Sequence, residues 1–259
     1  MEWKYDISAC TLCPRGCGVD RLNGVRGRCG CDSDIYVARA ALHNWEEPCI
    51  SGVRGSGTVF FSGCPLGCVF CQNNNIANAK VGKKISVERL SEIFLEQQDR
   101  GALNINLVTP THYIPQIIKA LELSKNQGMN LPVVYNSGGY EKAEALKLLD
   151  GLVDVYLPDM KYMSPGLAGK YSKAQDYPAA AMAALAEMFR QVGTPVFEVE
   201  KPDDNAATDE AGLIMKRGMI VRHLVLPGCT ADSKAVVKYL YDTYGDDIYM
   251  SIMRQYTPM

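Results

Sequence analysis

From Thr58 onward, six short apolar runs alternate with stretches of helical periodicity, and this alternation limits the folds open to the chain. The runs span 58–62, 104–109, 131–136, 153–157, 220–226 and 248–253. Each is partly β-branched or aromatic and is bounded by Gly, Pro or Asp, as expected of strands buried on both faces. Between them, 86–98, 114–127, 141–149, 178–192 and 233–244 set apolar residues on one helical face. Ser86 can cap the first helix, and Glu88 suits its positive end. Asp232 or Ser233 can cap the last. Strand alternating with helix implies parallel strands, right-handed crossovers and a ligand site at the carboxyl ends of the strands. Six strands suit an α/β fold of the partial (β/α)6 TIM-type barrel; a doubly wound open sheet competes. The stretch 194–216 breaks the rhythm, with Pro195–Val199 a candidate extra strand and Lys201–Glu210 a polar loop.

Cysteine usage divides the chain. Nine of its ten cysteines lie between residues 10 and 71. The first residues hold no apolar export segment, and no apolar run nears the roughly 20 residues of a membrane span. A formal net charge of -2 gives no footprint for nucleic acid or an anionic membrane. The expectation is a cytoplasmic protein, in which clustered thiols are metal ligands rather than disulfides. A small Cys-rich metal-binding segment over 1–55 would then precede a core over 56–259.

After the first expected strand stands Gly63-Cys64-Pro65-Leu66-Gly67-Cys68-Val69-Phe70-Cys71. Its C-x3-C-x2-C spacing puts three thiolates on one loop. They can hold three irons of a 4Fe–4S cube and leave the fourth iron open. A zinc site or packing thiols are the alternatives, but closed zinc sites take four ligands and no fourth lies near on this loop.

This spacing, with an aromatic residue before the third cysteine, resembles the radical S-adenosylmethionine superfamily. The wider stretch from Gly55 to Cys68 is similar to the pyruvate formate-lyase activating enzymes, and the chain resembles their activating enzyme-like branch. That closer likeness rests on Cys10-Thr11-Leu12-Cys13-Pro14-Arg15, Glu46-Glu47-Pro48-Cys49-Ile50-Ser51-Gly52, the run from Asn104 to His112, and Arg222-His223-Leu224-Val225-Leu226-Pro227-Gly228. The resemblance implies that the open iron binds the amino and carboxylate groups of S-adenosylmethionine. One electron, from a reductant such as flavodoxin or ferredoxin, would release a 5′-deoxyadenosyl radical that takes hydrogen from a substrate. Relatives tend to continue with a closing helix after the last strand, whereas this sequence stops at Met259; an open barrel mouth is one expectation.

Polar residues at the strand ends are the candidate cofactor contacts. Thr109 and Thr111 stand where the activating enzymes carry Gly-Gly-Glu, so they are substitutes by position. His112 beside them is a candidate hydrogen-bonding or acid–base group, or a structural histidine. Asn136-Ser137-Gly138 resembles the family's Thr-Asn-Gly turn, and Asp159-Met160-Lys161 its Asp-Leu-Lys element. Asp159 and Lys161 share one side of an extended segment. Alternation lets only one of Arg222 and His223 face the barrel interior, and His223 is the expectation.

In the N-terminal segment, Cys10, Cys13, Cys17 and Cys29 form a second ligand set, and one of Cys29 and Cys31 is the spare thiol. Zinc is the preferred metal there, and a second iron–sulfur cluster is the rival. Arg15, Arg21, Arg26 and Arg28 are read as solvated loop charges, or as a face for an acidic partner. Three functions follow: an activase that takes hydrogen from a backbone glycine of a partner glycyl-radical enzyme, a radical enzyme for a small molecule or a short peptide, and a non-catalytic electron-transfer or binding module.

Overall fold

The computed structural model describes residues 5–200 and 212–256, so the expected loop Lys201–Glu210 lies outside the described residues. The strands are β1 (Ile35–His43), β2 (Ser56–Phe61), β3 (Lys83–Ile85), β4 (Ile105–Val108), β5 (Val133–Ser137), β6 (Val155–Pro158), β7 (Val196–Val199), β8 (Leu213–Leu224) and β9 (Tyr249–Met253). The helices are α1 (Pro48–Ser51), α2 (Asn74–Ala77), α3 (Val87–Asp99), α4 (Ile114–Asn126), α5 (Ala143–Leu146), α6 (Pro165–Ser172), α7 (Tyr177–Val192) and α8 (Thr230–Tyr244).

The ladder β2-β4-β5-β6-β8-β9 is parallel throughout, and each expected apolar run supplies one of its strands. The mixed α/β architecture of a partial TIM-type barrel therefore holds. Three antiparallel strands extend it: β1 on β2, β3 on β1, and β7 on β8. β7 realises the extra strand expected near Pro195, and β8 runs 12 residues because its first half pairs with β7 and its second with β9.

Local chemistry fixes the helix ends. Ser86 Oγ accepts from the Arg89 amide at 3.1 Å, and α3 buries Leu90, Ile93 and Phe94. Over 141–149 the expected single helix is α5 followed by a 3-10 turn at Lys147–Leu149. α6 has no helical signal in the sequence, where it holds Pro165, Gly166 and Gly169; Ser164 caps it and Pro165 occupies its first turn, where a missing N–H costs nothing. α8 starts after Cys229 with no side-chain cap, so the expected caps act elsewhere. Asp232 accepts from the Ser164 amide at 2.7 Å, tying the loop after β6 to α8.

Strand alternation gives the sheet two apolar faces. Outward residues such as Phe61, Leu107, Tyr135 and Tyr156 join the helices in the main core. Inside the barrel, Val134, Val155, Leu157, Met215 and Ile220 enclose Ile50 of α1. No helix among the described residues is long and apolar enough to cross a membrane.

Candidate active site

The loop after β2 carries Cys64, Cys68 and Cys71 across the mouth of the barrel. It needs glycine at residue 63, where φ is 89° and a Cβ would collide with Cys31 Sγ and the Cys29 carbonyl. All three thiols line a single cavity of about 270 Å³. Thr109, Asn136, Ser137, Asp159 and Lys161 line it too. Thr109 is held at φ 59°, a conformation that costs a β-branched residue energy, by its amide bond to the Asn136 carbonyl at 2.8 Å.

Opposite charges alternate on the wall. Lys161 Nζ donates to Asp159 Oδ2 at 2.6 Å, and Arg222 Nε lies 3.2 Å from Asp159 Oδ1. Burial pushes the Asp159 carboxyl up, but Lys161 and Arg222 outweigh it and hold the group below the usual carboxylate range. Burial also pulls the Lys161 amine down, and the charges of Asp159 and Cys68 more than reverse that. Burial pushes the Cys64 thiol up to about 11. A metal would reverse this by binding the thiolate. Three soft donors facing a balanced set of cationic and anionic groups fit a 4Fe–4S cluster with a chelating, zwitterionic cosubstrate.

Three sequence expectations fall elsewhere. His223 does not face the interior: its Nδ1 meets the Met160 carbonyl at 2.7 Å and its Nε2 the Ser233 hydroxyl at 2.9 Å. Arg222 lines the cavity instead. Both Ile220 and Val221 are apolar, so periodicity could not set the parity; the pairing of Val155 with Gly218 does. Thr111 points away, donating to Glu141 Oε1 at 2.6 Å. His112 is buried behind the loop with Nε2 at 2.8 Å from the Ser62 carbonyl, and burial lowers its pKa.

The N-terminal thiols are spread over the back of the same loop. Cys10 Sγ accepts from Tyr5 and Arg21, exposed Cys17 accepts from the Arg28 amide at 3.3 Å, and Cys31 Sγ donates to the Ser62 carbonyl at 3.3 Å. Burial pushes the Cys13 thiol up to about 12. Among the described residues, no three His, Cys, Asp or Glu side chains are already drawn to metal-holding distances, in this segment or in the C-x3-C-x2-C loop. The arginines expected as solvated charges include two structural clamps. Arg15 donates to the carbonyls of Pro65 at 2.8 Å, Leu66 at 3.2 Å and Ser172 at 3.0 Å. Arg21 is 1% exposed and donates to the carbonyls of Asp32 and His112.

Sequence reasoning also missed the half-buried Glu46 and the buried Glu141 as carboxylates of the site's surroundings. Glu141 accepts from Thr111 and Tyr135 just behind Ser137, and burial pushes it up to about 7. Its position two residues past a Gly-Gly turn gave no signal.

The sequence profile of the radical SAM superfamily matches residues 58–200, more than half of the chain. The chain belongs to that superfamily. An uncharacterised protein of Methanocaldococcus jannaschii is 30% identical over 277 residues, covering 100% of this chain and 70% of that protein. A crystal structure of methylornithine synthase gives a TM-score of 0.46 at 14% identity over 75% of this chain, which spans about half (52%) of that structure.

Proposed function

We propose that the protein is a radical S-adenosylmethionine enzyme of the activating-enzyme type, which takes its hydrogen atom from a peptide segment presented at the barrel mouth. One observation carries the reading: the three thiols and the Asp159–Lys161–Arg222 array line the same cavity. Cys64, Cys68 and Cys71 hold the cluster. Lys161 offers a cation to the cosubstrate's carboxylate, and Asp159 an acceptor to its amine. Thr109, Asn136 and Ser137 offer hydrogen bonds to its polar edge, while Leu66, Phe60 and Met253 keep water out. When bound and reduced by one electron from a flavodoxin or ferredoxin, the cluster and S-adenosylmethionine supply a 5′-deoxyadenosyl radical for hydrogen abstraction.

The size of the cavity supports a presented segment over a small molecule. Its 270 Å³ falls below the roughly 300–1,000 Å³ of a typical ligand pocket. Ile50 closes the barrel beneath the cavity. The hydrogen donor then meets the radical from the mouth. The N-terminal thiols, in this reading, bind zinc or a second cluster that stiffens the back of the loop.

Anaerobic reconstitution with iron and sulfide, followed by dithionite and S-adenosylmethionine, tests the enzyme class: 5′-deoxyadenosine should form. A protein that binds tetranuclear iron yet forms none is not such an enzyme. A synthetic peptide with dideuterated glycine tests the donor. Deuterium should appear in the 5′-deoxyadenosine, and its absence across a glycine-peptide panel removes the activase reading.

A further inference from the structure

The segment from Glu46 to Gly52 has no role in the site as described, yet it plugs the barrel from its base. Ile50 is fully buried among inward-facing strand residues, and its carbonyl accepts from Asn104 Nδ2 at 2.7 Å. Gly52, at φ 47°, turns the chain out where a Cβ would press on Leu103 and Ile214 at 2.6 and 2.7 Å. Glu200 clamps the exit, accepting from the amides of Val53 at 3.0 Å and Arg54 at 3.3 Å.

At the inner end of this plug, Glu46 reaches the wall of the cavity. Its Oε2 accepts from Asn106 Nδ2 at 3.1 Å and Asn136 Nδ2 at 3.0 Å, and its Oε1 from Arg222 Nη1 at 2.9 Å. Arg222 Nη2 donates to Asn136 Oδ1 at 2.6 Å. Four alternating charges therefore run from the plug to the cavity: Glu46, Arg222, Asp159 and Lys161. Their side chains are only 11%, 16%, 15% and 19% exposed, so solvent screens them little. Removing the carboxylate at one end leaves the Arg222 guanidinium with Asp159 as its remaining anionic contact. That draws Asp159 toward Arg222 and loosens its hold on Lys161.

We propose that Glu46 is a positioning residue for S-adenosylmethionine. By fixing Arg222 it sets Asp159 and Lys161 at the cavity wall, and so couples the barrel's base plug to the cosubstrate site. This rests on the reading of the cavity as the S-adenosylmethionine site. Coupling between two sites is reciprocal, so S-adenosylmethionine must in turn tighten the plug.

The test uses the reconstituted protein without reductant, so that nothing turns over. Equilibrium dialysis with labelled S-adenosylmethionine should give E46Q an affinity about tenfold weaker than the natural protein, within the roughly 5–150-fold usual for coupled sites. Glu200→Gln loosens the plug's exit without touching the charge array and should leave affinity within about twofold of the natural protein. Equal losses in E46Q and E200Q would mean that any loosening of the plug acts alike, and would overturn the proposal. Hydrogen exchange on the natural protein needs no variant: the amides of Ile50, Ser51 and Gly52 should exchange more slowly once S-adenosylmethionine is added. Unchanged exchange, or unchanged affinity in E46Q, overturns the inference alone. If the natural protein binds no S-adenosylmethionine, the reading of the cavity fails and takes this inference with it.

Discussion

The two sets of cysteines share a residue type and a neighbourhood but not an environment. Cys64, Cys68 and Cys71 open onto a cavity beside Asp159 and Lys161. The N-terminal thiols face the backbone and side chains of their own segment, and Cys31 backs onto the Ser62 carbonyl. Where the N-terminal segment meets the loop, it grips carbonyls, through Arg15 on Pro65, Leu66 and Ser172, and offers one of its own, that of Cys29, to the Cys64 amide at 3.3 Å. Thiol spacing proposes a metal site, and the groups around the thiols decide what chemistry the site can serve. One set opens onto a cavity lined with charged groups, and the other braces the loop that carries it.

Single alanine substitutions should break the comparison most visibly if it is wrong. On the proposed reading, C64A, C68A or C71A removes a cluster ligand. Each should cost more turnover than the about 10–100-fold lost when a ligand's hydrogen-bond partner is changed. C10A and C17A should retain 5′-deoxyadenosine formation within that range. Turnover assays and iron content check both halves, and a C17A protein as inactive as C68A would erase the distinction.

The next effect in size concerns Glu141, which stands between the two regions. Its carboxylate raises the Cys13 thiol on one side and accepts from Thr111 and Ser137 on the other. Burial places its pKa at about 7 against an ordinary 4.5. Between these values the folded state holds a proton that the unfolded state has lost. Stability therefore falls as pH rises from about 4.5 to 7, by about 3 kcal/mol at about 1.4 kcal/mol per unit. Urea unfolding at pH 5 and pH 7.5 should show this decline in the natural protein and a smaller one in E141Q. A cation held by the N-terminal thiols would stabilise the charged form and flatten the decline, so the same titration with and without added zinc sharpens the contrast.

The strand order was legible because buried parallel strands are short apolar runs, and a run such as Leu131–Asn136 has few other ways to fold. The motif thiols were equally plain, since their spacing needs no tertiary knowledge. What escaped was parity and long-range pairing. Arg222 and His223 are adjacent polar residues after two apolar ones, and the side of β8 each takes follows from a register set by Val155 and Gly218. Glu46 stood only within a segment that carries the family likeness and had no role of its own, because nothing local shows that Pro48 and Gly52 turn its segment into the barrel. β1 and β3 were missed for a related reason: β3 is the edge strand and covers only the first residues of β1, so the exposed charges of Lys83 and Arg39 break the apolar pattern.

Arg15→Ala measures the bracing role directly. Four carbonyl hydrogen bonds from one guanidinium, to Pro65, Leu66, Ser172 and Lys173, disappear, and the carbonyls regain water in part, so a loss of about 2 kcal/mol is expected. Arg28, exposed and reaching only the Leu66 carbonyl at 3.4 Å, should cost well under half of that when removed. Chemical denaturation ranks the two, and equal losses would show that the clamp is not at Arg15.

The smallest effect separates the two thiol environments by redox behaviour. Ser172 Oγ donates to Cys68 Sγ at 2.9 Å and is itself 2.8 Å from the Tyr162 hydroxyl, which leaves Tyr162 as the donor of that second bond. A hydrogen bond to a ligating sulfur stabilises the more negative, reduced cluster, so S172A should lower the cluster potential. A net hydrogen bond of about 1 kcal/mol corresponds to about 40 mV for one electron. The Tyr5 hydroxyl makes the corresponding contact on Cys10 at 3.6 Å, and Y5F should leave the potential of the cluster at Cys64, Cys68 and Cys71 where it was. Spectroelectrochemical titration of both variants distinguishes them: a shift in Y5F as large as in S172A would place the N-terminal thiols in electrical contact with the cluster and make them a relay rather than a brace.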